Sequence, residues 1–445
     1  MSRLSFTLET RLFVAMLVIS GWTLVWQDVD YIVRWTALPT LILLLLYVVA
    51  VAILGWLLAS SRNSGSRVLN VNQNKWVFLM ASLIIAVGVF NLVQLGTNSF
   101  SPSSKPISDS ADALWCAGQD MMSGRDPYTE RLSTCVVHQP LGQGAQATPL
   151  SRGPYANLRH YPSQSSEHSM LLKALHSSRA ASVFPYLGYP PLGSLWLLPA
   201  LWTPFWGVTL WLTLLAAIWV VLLVKNARAS IRLPVLAALL VQTNGGMVLH
   251  MAITGNAEFV PFALATLSLL WIPQPRRSAV LFGLALASNQ LMWLLLIPYL
   301  LLTRRLPNFK ARTLWLLAVT TIAIVPGVFL YPDMLRSVLQ LFVMPTFNYG
   351  MGLLGIFLPG SLPQTIRVWF TVLMMGAYAL GSYFAYCRLS WALAFLPLAT
   401  AVAWLGWRSD ANYLSLVFPL TVGALIGFDR LRQEQQLGSS LASTQ

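Results

Sequence analysis

Long apolar segments separated by short polar stretches run through almost the whole chain. Segments of this kind approach or exceed the ~18 apolar residues needed to cross the core of a bilayer. The pattern predicts about ten transmembrane helices, at residues 11–27, 36–59, 76–96, 206–224, 233–252, 257–273, 313–331, 364–386, 391–407 and 413–428. The first of these follows a polar start without a small-residue cleavage site, so we expect it to remain as an uncleaved span.

A further apolar segment, residues 279–302, does not fit this series. Arginine pairs flank it at 276–277 and 304–305. A single crossing would put these pairs on opposite faces of the membrane and turn every later basic loop outward, against the positive-inside rule. We therefore expect a re-entrant hairpin with Asn289 and Gln290 at its tip, enclosed by protein or by a water-filled cavity.

Charged residues divide between the two faces of the membrane on this topology. The basic residues of the short loops all fall on one side, which is then the cytoplasmic side. Eleven of the fourteen carboxylates fall on the other side: Asp28, Asp30, Asp109, Asp112, Asp120, Asp126, Glu130, Glu167, Glu258, Asp333 and Asp410. Two explanations stay open. The acids have a function on the outer side, or the short basic inner loops leave them no other place.

Composition supports a membrane protein and argues against other classes. Hydrophobic residues make up 56% of the chain and charged residues 9%. The formal net charge of +14 comes from basic residues scattered over short loops, so attraction to anionic lipid headgroups explains it better than nucleic acid binding does. The three cysteines are too few for a disulfide scaffold. Cys116 and Cys135 share one outer loop and either pair or remain free thiols.

One large polar insertion interrupts the membrane helices. The sequence divides into N-terminal transmembrane helices (1–96), an outward loop of 94 residues (97–190), C-terminal transmembrane helices (191–428) and a cytoplasmic tail (429–445). A loop of this size is usually functional or disordered. Its middle, residues 141–169, has low hydrophobicity, and we expect that stretch to be mobile.

The start of this loop is predicted to be a short helix near the membrane surface. Apolar side chains recur at helical spacing and polar ones occupy another face, with Leu114, Ala117 and Met121 opposed to Asp109, Asp112 and Cys116. Gly124 supplies a stop and Pro127 prevents the helix from resuming. The two aspartates either stabilise the helix start by ~0.3–1 kcal/mol through the helix dipole or carry chemistry.

Several segments resemble motifs of glycosyltransferase family 87, the polyprenol-phosphate-dependent mannosyltransferases. The similar segments are DSADALWCAGQDMMSGRDPY, YLGYPPLGSLWLLPALWTPF, TGNAEFVPFALATLSLLW, LFGLALASNQLMWLLLIPYLLLTRRL and, more weakly, NYGMGLLGIF (348–357) and WRSDANYLSLVFPL (407–420). Asn256 stands where glutamine is usual in that family, and Gln290 stands near the place of its lysine. The resemblance covers most of residues 109–420.

The resemblance implies a GT-C fold, an all-α polytopic bundle of about 10–12 transmembrane helices with a re-entrant hairpin and short interfacial helices in a large outward loop. It also implies inverting transfer of a sugar, a mannose-like hexose, from a polyprenyl-phosphate donor to a hydroxyl of a lipid- or polymer-linked acceptor. The active site would face the periplasm or cell exterior at a bacterial inner membrane, with the lumen of the endoplasmic reticulum as the alternative. No cofactor and no metal are expected, because the sequence has no metal-ligand cluster.

The residues expected to perform this chemistry lie in the outward loops. The family has its catalytic base, an aspartate, in the acidic segment after the early spans, which here means Asp112 or Asp109, with Asp112 favoured. Such a base accepts the proton of the acceptor hydroxyl, and guanidinium groups suit the donor phosphate. The expected donor-binding residues are Arg125, Arg159, His160, Arg179, Tyr189, Asn256, Glu258, Gln290 and Arg336.

Other functions stay open at the level of the sequence. An oligosaccharide or polymer ligase also attacks lipid-phosphate sugars from the outer face. A non-catalytic membrane scaffold for glycan export would use the large loop to bind partners. A transporter would need broken helices that meet near the midplane and usually a repeated half, and we find no internal duplication.

Overall fold

The structure is a computed structural model of the 445-residue chain. It describes residues 109–129, 149–158, 162–174, 183–184, 186–203, 205–227, 232–240, 248–340, 349–350, 363–388, 408–409 and 416–442, with individual residues at 79–93, 177 and 392–399. The spans expected at 11–27 and 36–59 lie outside the described residues.

Helices make up most of the described chain. They are α1 (Asp109–Met122), α2 (Gln164–Ala174), α3 (Pro191–Leu195), α4 (Phe205–Asn226), α5 (Arg232–Leu240), α6 (Val248–Ile253), α7 (Phe259–Leu270), α8 (Pro275–Ser288), α9 (Leu296–Thr303), α10 (Phe309–Leu330), α11 (Met334–Gln340), α12 (Gln364–Cys387) and α13 (Val417–Ala442). Three of the described helices are long and apolar enough to cross a membrane: α4 over Gly207–Asn226, α10 and α12. This agrees with a helical membrane protein, at the level of helix length and composition.

Helix boundaries follow several of the expected spans. The three long helices coincide within a few residues with the spans expected at 206–224, 313–331 and 364–386. The span expected at 257–273 corresponds to α7, which has 12 residues. The span expected at 233–252 corresponds to α5 and α6, with residues 241–247 outside the described set.

The boundary expected at residue 428 lies inside a helix. Helix α13 runs without a break from Val417 to Ala442, so the segment expected to be a cytoplasmic tail is helical up to residue 442. The residues beyond 428 include good helix formers, and the Gln433 side chain donates to the Asp429 carboxylate one turn earlier at 3.1 Å. Local propensity thus extends the helix past the end of its apolar segment.

Residues 275–303 form a helical hairpin, as the flanking arginines predict. The chain turns at Asn289, and α8 packs against the returning arm, a 3-10 helix (Gln290–Leu295) followed by α9. Phe282 stacks on Tyr299 with ring centroids 4.0 Å apart, and the Tyr299 hydroxyl lies 2.8 Å from that of Ser278. Helix α8 has 14 residues and is about 21 Å long, which is shorter than the ~30 Å hydrocarbon layer. That the hairpin re-enters a membrane stays a prediction.

The hairpin defines two ends of the helix bundle. We call the end that holds Asn289 the tip end and the end that holds Arg276 and Arg304 the base end. Helix α10 runs parallel to α8, because Arg312 near its start bonds the Ile272 carbonyl at 2.8 Å and Gly283 of α8 faces its middle. Helix α12 ends at the base end, where Arg304 lies over a tyrosine ring 3.8 Å away.

Helices α7 and α13 pack closely through two glycines. Gly423 and Gly427 are four residues apart on α13, and both face backbone carbonyls of α7. A Cβ atom on Gly423 would lie 2.6 Å from the Thr266 carbonyl oxygen, and one on Gly427 would collide with the Leu269 carbonyl oxygen. Small residues at this spacing let two helix backbones approach each other. Both helices therefore run from the tip end to the base end.

Part of the large loop is folded, including residues 149–158 and 162–169 of the stretch expected to be mobile. Residues 149–158 and α2 surround a small core of Tyr155, Leu171, Val183 and Phe184. The Leu150 amide donates to the Val183 carbonyl at 2.5 Å. A few large apolar residues spaced widely along the loop thus form a small core within a polar segment.

Two strands of two residues each occur beside the helices of the described chain. Strand β1 (Tyr349–Gly350) pairs in parallel with β2 (Arg408–Ser409). These strands belong to the two late segments, 348–357 and 407–420, that resemble loops of the glycosyltransferase family. The pairing brings the two segments together.

Candidate functional site

The first helix of the large loop begins and ends where the sequence predicts. Helix α1 is followed by Gly124, whose φ of 70° is the left-handed conformation that glycine favours. The Gly124 amide donates to the Met121 carbonyl at 3.1 Å, and the Arg125 amide donates to the Asp120 carbonyl at 2.8 Å. These two bonds form a Schellman motif, and Pro127 follows. The prediction of a helix stop at Gly124 is confirmed.

Helix α1 is buried more fully than a helix at a membrane surface would be. All residues from 113 to 118 are buried, including Cys116 at 3% exposure. The face to which the sequence assigns Cys116 is therefore buried at that position. The Gln119 side chain donates to the Leu201 carbonyl at 2.7 Å, and Gly118 faces the Leu201 side chain. Packing on several sides makes α1 part of the bundle at its tip end.

A buried hydrogen-bond network joins the first turn of α1 to the start of α7. The Ser110 hydroxyl donates to the Asn256 side-chain oxygen at 3.0 Å. The same oxygen accepts the Glu258 backbone amide at 2.9 Å. Ser110, Asn256 and Glu258 are 4%, 4% and 7% exposed, so water contributes little to their solvation. Polar groups buried in this way depend on their mutual hydrogen bonds.

Tyr189 extends this network through the Glu258 carboxylate. Its hydroxyl donates to Glu258 Oε1 at 2.8 Å. Glu258 occupies the N-cap position of α7, but its side chain makes no capping hydrogen bond there. The carboxylate of Glu258 therefore binds Tyr189 and does not cap the helix.

Tyr128 links the end of the acidic segment to Tyr189. Its hydroxyl donates to the Tyr189 carbonyl at 2.7 Å, and its ring lies 5.7 Å from that of Tyr331. Burial raises the pKa of Tyr128 well above its ordinary value, with Tyr331 and Asp126 adding to the shift. Burial also raises the pKa of Tyr331, and Asp126 adds to it. Both tyrosines therefore stay neutral hydrogen-bond donors at physiological pH.

The hairpin tip lies against α3. The Trp196 indole donates to the Ser288 hydroxyl at 2.8 Å, and a Cβ atom on Gly193 would lie 2.6 Å from the Ser288 carbonyl oxygen. Asn289 accepts the Leu291 amide at 2.7 Å and so shapes the turn. The Gln290 side-chain oxygen is buried and has no hydrogen-bond partner within the described parts of the chain.

The structure brings some of the expected site residues together and leaves others apart. Tyr189, Asn256 and Glu258 share the network, and the backbones of Asp109 and Asp112 lie in the first turn of α1 on either side of Ser110. Gln290 follows the hairpin turn. Three others, Arg159, His160 and Arg179, lie outside the described residues.

The two described arginines of the expected site have different surroundings. Arg125 is exposed and forms an ion pair with Asp120 at 2.5 Å, so its guanidinium already has an anionic partner. Arg336 is exposed on α11. Met334 and Val338 of the same helix pack in one cluster with Ala113 of α1. Arg336 therefore belongs to the tip end.

Three residues of this region were missed by the sequence analysis. Ser110 and Tyr128 take part in the network, and Arg367 at the start of α12 donates to the Ser151 hydroxyl of the large loop at 3.1 Å. Ser110 lies between the two candidate aspartates, and Tyr128 closes the Asp-Pro-Tyr turn. Their partners are more than fifty residues away, so local pattern carries no sign of the contacts.

The cysteines report on the redox environment of α1. Cys116 is disulfide-bonded, Cys387 is free and exposed, and Cys135 lies outside the described residues. Disulfides form and persist in oxidising compartments. Within the described part of the chain, no group of three or more His, Cys, Asp or Glu residues could hold a metal ion.

We expect Cys387 to react with a maleimide in the denatured, unreduced protein and Cys116 to react only after reduction. The reason is that a thiol in a disulfide is not nucleophilic, whereas the Cys387 thiol is free. Differential labelling followed by peptide mass spectrometry measures both sites. Labelling of Cys116 before reduction would contradict the expectation.

Comparison with known proteins gives no assignment. No family model matches the chain, and neither a curated protein nor a solved structure matches it.

Proposed function

We propose that this chain is a membrane glycosyltransferase that uses a polyprenyl-phosphate-linked sugar, a mannose-like hexose, as its donor. The acceptor is a hydroxyl group of a lipid- or polymer-linked glycan. The reaction inverts the anomeric carbon and takes place at the tip end of the bundle.

The hydrogen bond from Ser110 to Asn256 carries this proposal. It links the turn that bears Asp109 and Asp112 to the start of α7, where Glu258 is buried and bonded to Tyr189. Buried polar networks of this kind rigidify the groups that they connect. A rigid acidic segment is what a catalytic base needs, because small displacements from the reactive geometry cost large factors in rate.

The chemistry assigns one role to each kind of side chain. Asp112 or Asp109 accepts the acceptor hydroxyl proton as that oxygen forms a bond to the anomeric carbon. The bond from the anomeric carbon to the phosphate oxygen breaks, and polyprenyl phosphate leaves with the electron pair. Arg336 and Arg367 are guanidinium donors for the leaving phosphate, while Glu258 and Tyr189 bind sugar hydroxyls.

The proposed location is a bacterial inner membrane with the tip end facing the periplasm. The disulfide at Cys116 supports an oxidising compartment for α1. The base end carries exposed basic residues, including Arg277, Arg305 and Lys310, which agrees with a cytoplasmic position under the positive-inside rule.

A release assay tests the proposed function directly. Purified protein is incubated with a panel of polyprenyl-phosphate sugars, and free polyprenyl phosphate is quantified by mass spectrometry. Release from one donor, dependent on an added glycan acceptor, supports a transferase. Transfer of whole oligosaccharides would support a ligase, and no release from any donor would support a scaffold or a transporter.

We expect Ser110→Ala to slow donor turnover by about two- to twelve-fold, because a typical hydrogen bond contributes about 0.5–1.5 kcal/mol. The matched control is Ser123→Ala, which removes an exposed hydroxyl bonded to the Gln119 carbonyl at the other end of α1. Initial rates of polyprenyl phosphate release measure both variants. Equal rates for the two would show that the link to Asn256 has no part in catalysis.

A further inference from the structure

Two helix N-termini lie side by side at the base end of the hairpin. Helices α8 and α10 run parallel and pack along each other. Neither start has a side-chain cap or an acid in its first turn. Their first four residues instead carry four cations: Arg276, Arg277, Lys310 and Arg312. Each N-terminus has roughly half a positive charge, so cations there are unfavourable and an anion is favourable.

A buried guanidinium lies beneath these exposed cations. Arg312 is 2% exposed. Its NH2 group donates to the Ile272 carbonyl at 2.8 Å, three residues before α8 begins. Its Nε and Nη1 groups are buried and have no hydrogen-bond partner within the described parts of the chain. The Tyr299 hydroxyl lies close to the guanidinium, but it is a neutral group, and a buried charge without a counter-charge is unfavourable.

The described acids of the base end belong to a different helix pair. They are Asp429 and Glu434 of α13, and α13 packs mainly against α7. Asp429 accepts a hydrogen bond from Gln433 of its own helix at 3.1 Å. No described acid therefore belongs to the first turn of α8 or α10.

We propose that the paired N-termini of α8 and α10 bind a phosphate group. Free amide N–H groups at helix starts combined with positive charge form an anion site, and guanidinium groups match phosphate oxygens well. Arg276 is held in place by the Trp315 ring, 4.3 Å from its guanidinium carbon. The phosphate belongs either to an anionic lipid headgroup of the adjacent leaflet or to free phosphate in solution.

A phosphate at this site holds the base of the hairpin together. It bridges the first turns of α8 and α10, and the hairpin tip lies about 21 Å away along α8. Lipid composition thereby affects how firmly the tip is held against α3. This site is independent of the proposed glycosyl transfer, since it lies at the other end of the bundle.

The test compares lipid retention by two double variants of the full chain. Arg276→Gln/Arg277→Gln removes two cations of the site, and the control Arg232→Gln/Arg388→Gln removes two exposed arginines elsewhere at the base end. Native mass spectrometry titrates each protein with phosphatidylglycerol, and thermal unfolding is followed in nanodiscs with and without that lipid. The site variant is expected to bind the lipid roughly 25-fold more weakly, about fivefold per arginine, and the control to stay within about twofold.

A second arm separates the two sources of phosphate. Inorganic phosphate is added at constant ionic strength to protein in nanodiscs of phosphatidylcholine alone. A rise in unfolding temperature that the site variant lacks supports free phosphate as the ligand, and a rise with phosphatidylglycerol alone supports a lipid headgroup. Equal weakening in both double variants, or no response to either ligand, overturns the proposal and leaves the basic residues with a topological role only.

Discussion

Replacing both Asp109 and Asp112 by asparagine is expected to lower the rate of polyprenyl phosphate release by about 10²–10⁴-fold, the contribution of a general base. Asparagine keeps the size of the side chain but cannot accept the hydroxyl proton. The assay uses the donor identified by the panel and purified protein with an unchanged elution profile. The two single variants then identify the base, since one of them should reproduce the full loss.

The control for this experiment is Asp333→Asn. Asp333 is an exposed acid between α10 and α11, so its substitution changes the charge of the tip end without touching α1. Its release rate is expected to stay within about threefold of the wild type, because surface charges contribute little at a distance in salt. If the double variant at 109 and 112 kept full activity, neither aspartate would be the base.

The second large effect is expected for Gly427→Ala, which should destabilise the fold by about 1–3 kcal/mol. The added methyl group would collide with the Leu269 carbonyl oxygen. This oxygen belongs to the backbone of the last turn of α7 and cannot rotate away as a side chain would, so α7 and α13 must separate and lose contacts. Fluorescence-detected size-exclusion chromatography of heated samples measures the loss of the monodisperse peak and hence the loss of stability.

Gly376→Ala provides a matched control for this substitution. Gly376 lies inside α12 and has no heavy atom within 4 Å of the place where a Cβ would stand. Alanine also favours a helix over glycine, so the midpoint temperature should stay unchanged or rise slightly. A Gly427→Ala variant as stable as this control would contradict the close packing of α7 and α13.

Features set by nearby residues or by charge could be predicted from the sequence. The end of α1 follows from Gly124 and Pro127 because a helix stop depends on a few adjacent residues. The hairpin at 275–303 follows from arginine pairs on both flanks, since the positive-inside rule constrains the number of crossings. The three long helices follow from apolar length alone.

Features set by distant contacts could not be predicted in this way. Ser110 and Asn256 are 146 positions apart, and no periodicity near either residue indicates the bond. The burial of Cys116 depends on neighbours from other helices, and a helical wheel does not show which faces those neighbours cover. The small core around Tyr155 also collects residues from separate parts of the loop, and average composition conceals it.

The length of helix α8 is constrained by contacts at both of its ends. Contacts at Ile272 and Arg312 anchor the chain just before the helix begins, and the contact between Gly193 and the Ser288 carbonyl anchors its end. One inserted residue would rotate everything beyond it by about 100° and advance it by about 1.5 Å, so Ser288 would turn away from α3. Insertions and deletions should therefore be rejected in this arm, even though substitutions on its outer surface are tolerated.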